Sequence, residues 1–203
     1  MDESDRAKPE GMNFEPLANA AAQKGIVVCA GLIERNGDRL FNSAVLLDRS
    51  GRKIAHHRKI NELEIAHEIY TSGESAGPPV ETEIGKIGLH ICADAFVEEQ
   101  WISREIASAG ADVILSPCAW AVPPEFDPVV ETYGQIWREN YEPVAREFGV
   151  AIAGCSCVGP IRSGPWAGHS CIGNSMVFDS RGREILTGPH GANADELLFV
   201  EIE

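Results

Sequence analysis

The chain has 203 residues, 44% of them hydrophobic and 24% charged, with a net charge of −14, enough for one domain with a sizeable core. Such an acidic chain offers no basic face to a nucleic-acid backbone or an anionic lipid surface, and no apolar run approaches the roughly 20 residues of a membrane helix. The opening MDESDRAKPEG is acidic and polar, unlike a secretory leader. Six cysteines without a CxxC pair read as reduced thiols of a cytoplasmic protein.

In chain order, residues 1–12 form a polar lead-in. NFEPLANAAAQKG predicts a short helix, with Asn13 as cap, Pro16 in the first turn and Gly25 at the stop. GIVVCAGLIE reads as a buried strand, RNGD as a hairpin turn, and RLFNSAVLLD as the returning strand. RKIAHHRK is a third strand. The stretch 61–83 has no clear period and reads as a long loop with one helical turn. A strand over 86–91, a helix over about 97–109 and a strand ADVILSP at 111–117 come next. VVETYGQIWRENYEPVAREFG is a second long helix, bent or broken near Pro143. VAIAGCSCV, the strand–turn–strand GNSMVFDSRGREILTG, and a closing strand ELLFVEIE complete the chain. Strands outnumber helices and helices fall between some of them, which predicts one α/β domain over 1–203 with sheet packed on sheet.

Four features carry possible chemistry. In GKIGLHICADAF, Ile87, Leu89 and Ile91 alternate with small or polar residues, then Cys92 ends the strand where a helical stretch begins. A thiol there is either a buried core group or a nucleophile with backbone N–H groups beside it. Lys59 ends a strand in HHRKINELE, where a lone lysine is ordinarily solvated. Glu62, Glu64 and Glu68 follow it and read either as a solvent-facing run or as part of a site. His56, His57, His67 and His90 lack the spacing of a zinc site, so no metal is expected. His90 would matter only to a Cys–His protease-like reading, and strand parity is weak support for that.

Taken together these features are not independent. GIVVCAGLIER, RLFNSAVLLDRSGRKIAHHRK, GKIGLHICADAFVEE, AGADVILSPCAW, WRENY and GNSMVFDSRG resemble, in order, segments of the nitrilase superfamily of carbon–nitrogen hydrolases, from about residue 17 to residue 203. The resemblance implies an α-β-β-α sandwich whose protomers associate through outer helices into a homo-oligomer. It implies Cys92 as nucleophile, Lys59 as the catalytic lysine and Glu68 as a supporting glutamate. Glu62 and Glu64 are set aside because they lie so close to Lys59. The Lys59 ammonium and the Ala93 backbone N–H would hold the carbonyl oxygen. Trp120 is expected at the pocket rim, Phe96 beside the substrate, and Trp101 in the core.

The implied activity is hydrolysis of a small linear amide or N-carbamoyl compound through a Cys thioester, without metal or organic cofactor. The implied partner is a small amide-like molecule. One departure stands out. The family's first catalytic glutamate sits in a Pro-Glu pair on an early strand, and this chain offers only Glu10 in KPEG, too near the first helix. The expectation is a chain that lacks the first strand, the first helix and the Glu-bearing strand. The alternative is a truncated or degenerate, non-catalytic member acting in assembly.

Overall fold

The computed structural model describes residues 11–127 and 134–202. Glu10 lies outside them. Helix α1 (Glu15–Lys24) leads into a meander of three antiparallel strands, β1 (Val28–Asn36), β2 (Arg39–Leu47) and β3 (Lys53–Arg58), with β2 in the centre. Asn36 pairs with Arg39 across a two-residue loop whose Gly37 has φ of 60°, a conformation glycine adopts without strain. Central β2 is buried on both faces. Val45 and Leu47 pack against Ala21 of α1, while Leu46 turns the other way onto a second sheet.

That second sheet has six strands. After β4 (Val80–Thr82) and β5 (Gly85–Leu89) come α2 (Trp101–Ser108), β6 (Val113–Cys118), β7 (Ala121–Val122), α3 (Gln135–Phe148) and β8 (Ala151–Ser156). The chain then forms β9 (Val158–Pro160), β10 (Ser170–Ile172), β11 (Met176–Phe178) and β12 (Glu184–Thr187). The order is β12-β11-β8-β6-β5-β4, parallel from β5 through β6 to β8 and antiparallel outside. A small sheet, β7-β10-β9, sits at one end.

Leu46 meets Ile87 and Leu89 between the sheets. On the far face, Ile102 and Ile106 of α2 and Trp137, Tyr141 and Val144 of α3 pack over Ile114, Ile152 and Phe178. A side chain at Gly88 would collide with Ile106, so the helix lies directly on the strand. The layers are α1, three-stranded sheet, six-stranded sheet, then α2 and α3: the α-β-β-α sandwich. Burial of this apolar area drives the stacking.

Several elements differ from expectation. The Cys92 strand stops at Leu89 because the Asp94 carboxylate takes the Ile91 N–H at 2.9 Å, diverting it from the ladder. The helix after it starts at Trp101, which is 44% exposed rather than core. Phe14, not Asn13, stands at the cap of α1, although Pro16 and Gly25 fall as expected. Helix α3 runs through Pro143 without a break; the predicted residues 129–133 of that helix lie outside the description. Within the lead-in, Gly11 exchanges two backbone hydrogen bonds with Arg35. ELLFVEIE is not a strand over its described residues; Leu197 and Phe199 are 82% and 84% exposed. A strand requires a neighbouring edge to pair with, and no ladder reaches this segment among the described residues.

Candidate active site

Two chain turns, one from each sheet, build the site. The first follows β3. Lys59 N–H donates to the Asn42 carbonyl of β2 at 2.8 Å, and the Lys59 carbonyl accepts from Gly73 at 2.7 Å. The backbone is thus held on both sides and the side chain turns inward, 6% exposed. Its ammonium lies 3.3 Å from Glu62 Oε2, and the Glu62 side chain is itself fully buried. Asn42 Nδ2 donates to both Glu62 oxygens, at 3.2 and 3.1 Å. A buried ion pair persists when its spare lone pairs are hydrogen-bonded in this way.

The second turn follows β5. Cys92 opens a short 3-10 segment, Cys92–Phe96, with φ of 47°. For a residue with a Cβ this left-handed conformation costs of order 1–3 kcal/mol, and the surrounding structure must impose it. Here Asp94 does so. Its Oδ2 accepts from Ile91 N–H at 2.9 Å and lies 2.8 Å from His57 Nε2. Its Oδ1 accepts from Ile60 N–H at 3.0 Å and Asn61 N–H at 2.7 Å. Asn61 Nδ2 returns a hydrogen bond to the Ala93 carbonyl at 2.6 Å. One carboxylate therefore ties the Lys59 turn to the Cys92 turn.

Cys92 is 6% exposed. Burial alone would push its thiol up, yet it is held down at about 7. The largest cause is a hydrogen bond from the Cys118 thiol; the Lys59 charge and the backbone N–H groups of Ala119 and Ala93 add to it. The Cys118 thiol is correspondingly raised, first by its bond to Cys92 and then by burial. Cys92 N–H donates to Ser116 Oγ at 3.2 Å. A cation and several donors around a buried sulfur favour its thiolate, the nucleophilic form, over the neutral thiol.

Cys92, Lys59 and Ala93, the residues the resemblance implied, thus lie on these two neighbouring turns. Trp120 packs against the buried group of Ala44, Ile91, Cys92 and Cys118. It meets Phe96 and Trp137 edge to face, with ring centroids 5.8 and 5.3 Å away. Phe96 lies one ring further from the sulfur. Glu68 does not join them. It ends the 3-10 turn Glu64–Glu68, is exposed, and makes no hydrogen bond or ion pair with Lys59 or Cys92 among the described residues. Glu62, set aside for its closeness to Lys59, is the carboxylate that meets it. His90 is wholly buried and depressed to about 4 by desolvation, and neither ring nitrogen has a partner among the described residues.

Asn42, Asp94, Ser116 and Cys118 also escaped the sequence reading, and His57 was weighed there only as a metal ligand. Only Asp94 carried a local signal, an acidic residue in the first turn of a helical segment. The others reach the site from β2, β3 and β6.

A different buried carboxylate lies on the outer part of the same meander. Glu34 accepts from Arg58 Nε at 2.9 Å and Ser43 Oγ at 2.7 Å, with His56 Nε2 at 3.0 Å. The Arg58 guanidinium, with Ser43 and His56, holds its carboxyl at about 2.

The chain is similar to a nitrilase of Pyrococcus abyssi, 30% identical over 152 residues, which covers 74% of this chain and 57% of that protein. It is similar to a chloroplastic omega-amidase of Arabidopsis thaliana, 27% identical over 198 residues, which covers 92% of this chain and 48% of that one. In three dimensions it resembles a carbon-nitrogen hydrolase of Helicobacter pylori, with a TM-score of 0.76 at 24% identity over 85% of this chain and 61% of that one. The chain spans about half the length of the curated relatives it matches. The carbon-nitrogen hydrolase family description matches residues 2–203, and the chain belongs to that family.

Proposed function

We propose that this chain hydrolyses a non-peptide carbon–nitrogen bond of a small linear amide or N-carbamoyl compound, with Cys92 as nucleophile. One observation carries the reading. Cys92 sits in a left-handed turn, buried, with a thiol held at about 7 by Cys118, Lys59 and two backbone N–H groups. A structural cysteine in an apolar core is pushed the other way, as Cys29 is, up to about 12.

The Cys92 thiolate attacks the carbonyl carbon, and the C=O electrons move onto oxygen. Lys59 and the Ala93 N–H stabilise that oxygen, an effect typically worth 10²–10³-fold per donor. As the tetrahedral intermediate collapses, the nitrogen takes a proton from water and leaves as ammonia or an amine, and a thioester remains. Water then releases the acid. Glu62 acts as a positioning residue, holding Lys59 through the buried pair. Phe96 and Trp120 offer an apolar wall for the substrate's carbon chain.

The omega-amidase relative supports amides; the nitrilase relative makes a nitrile the runner-up. Protomer association through the outer helices and a cytoplasmic location belong to the same proposal; six free thiols suit a reducing compartment. No carboxylate hydrogen-bonds Cys92 among the described residues, so hydrolysis of the thioester should lag behind its formation. Incubation with short amides, N-carbamoyl amino acids and nitriles, followed by peptide mass spectrometry, should place an acyl group on Cys92. The Cys92→Ala variant should take none. Acylation elsewhere, or none across the panel while iodoacetamide still alkylates Cys92, overturns the reading.

A further inference from the structure

Cys92 has a second thiol beside it that the hydrolytic steps do not use as a nucleophile. The parallel register pairs Ile87 with Val113 and Leu89 with Leu115. Carried forward at the same offset, it sets Cys92 against Cys118, the last residue of β6. The bond from Cys92 N–H to Ser116 Oγ anchors the two chain ends past the point where the ladder stops. Neighbouring strands lie about 4.8 Å apart, within the Cα separation of about 4.4–6.8 Å that a disulfide spans.

Both side chains lie in one buried cluster with Ala44 and Ile91. Cys118 Sγ is held in place by the Ser116 carbonyl at 3.4 Å, by Ser116 Oγ at 3.5 Å and by the Tyr141 hydroxyl at 3.8 Å. Tyr141 cannot retreat, because it is wholly buried under α3. The second thiol is therefore fixed at the sulfur that the first presents.

We propose that Cys92 and Cys118 are a reversible oxidation site, at which a hydroperoxide converts the two thiols to a disulfide. The Cys92 thiolate attacks one peroxide oxygen; the O–O bond breaks and water or an alcohol leaves. Cys92 becomes a sulfenic acid, oxidised by two electrons. The Cys118 sulfur then attacks the Cys92 sulfur, the S–O bond breaks, and hydroxide departs with the Cys118 proton as water. A dithiol reductant restores both thiols. With Cys118 in place, the sulfenic acid is captured before it climbs to the irreversible sulfinic state. That oxidation also silences hydrolysis rests on Cys92 being the nucleophile; the cross-link does not.

Cys157 and Cys171 are the competing pair. Cys157 is exposed and hydrogen-bonded to the Cys171 thiol across neighbouring chain segments. The experiment treats the chain with hydrogen peroxide, blocks free thiols and maps peptides without reduction. A Cys92–Cys118 peptide pair, cleaved by dithiothreitol, is expected. In Cys118→Ser, Cys92 should gain two oxygens and lose most of its dithiothreitol-recoverable alkylation. Circular dichroism should show that the variant is folded, and Cys118→Ala should behave alike. Absence of the Cys92–Cys118 pair in oxidised chain, including oxidation confined to Cys157 and Cys171, overturns the proposal. So does equal over-oxidation of Cys92 with and without Cys118. A cross-link without any acylation of Cys92 by the amide panel leaves this site standing and removes the hydrolase reading.

Discussion

Glu34 on β1 and Glu62 on the turn after β3 are both buried carboxylates, and each pairs with a cation at the point where β3 ends. They differ in what is left over. Arg58, Ser43 and His56 crowd Glu34, and the Arg58 guanidinium also lies over the Phe41 ring, 4.0 Å from its centroid. Arg58 is 31% exposed and spends its planar fork on one partner. Lys59, by contrast, is buried and meets Glu62 with a single contact at 3.3 Å. An ammonium has three donors, so Lys59 keeps capacity directed toward Cys92, whose thiol its charge helps to depress. The last residue of β3 and the one after it thus hold a closed pair that fastens the sheet and an open pair that faces the site.

The largest effect should come from opening the second pair. Lys59→Met should cut amide turnover by about 10²–10³-fold and move the pH midpoint of Cys92 alkylation from about 7 toward the ordinary 9.0; an unchanged midpoint would separate Lys59 from the sulfur. Next comes the tie between the two turns. Asp94→Asn removes the charge that His57 and three backbone N–H groups share, and should cost about 2–4 kcal/mol in urea unfolding. It should also slow Cys92 alkylation, which a purely structural residue would leave alone.

The closed pair makes a smaller, pH-graded contribution. Glu34 is lowered from 4.5 to about 2. Its stabilisation is present in full above about 4.5 and lost as pH falls through about 2. The difference in melting temperature between the chain and Glu34→Gln should shrink over that window; a constant difference would show that the charge is not the cause. The smallest effect belongs to Glu68→Ala. The side chain is exposed, so stability should change by no more than about 0.5 kcal/mol and the alkylation profile should not move.

Most of the strands and the turn at Cys92 were legible because alternation, turn residues and a Cys at a strand end are local signals. Glu62 was not. Its closeness to Lys59 counted against it, yet the chain turns directly after β3 and brings the two side chains together over three residues. Asn42, which completes the pair, belongs to the neighbouring strand, and no spacing rule relates the two positions. Trp101 fits a helix stripe, but it opens α2 on the outward side, and the next residues, Ile102 and Ser103, are the ones that turn into the core. Leu197 and Phe199 have the composition of a strand, and composition does not supply an edge.

The Asp94 clamp also has a temporal side. Its bonds to His57, Ile60 and Asn61 span 33 to 37 residues of chain, whereas the β1–β2 hairpin closes over a two-residue loop. Long loops close late, because their entropy must be surrendered before any contact forms. A refolding chain therefore has its hairpin before it has its reactive thiol. Until the clamp closes, Cys92 is an ordinary cysteine on a strand end, and chemical competence follows the hairpin rather than accompanying it.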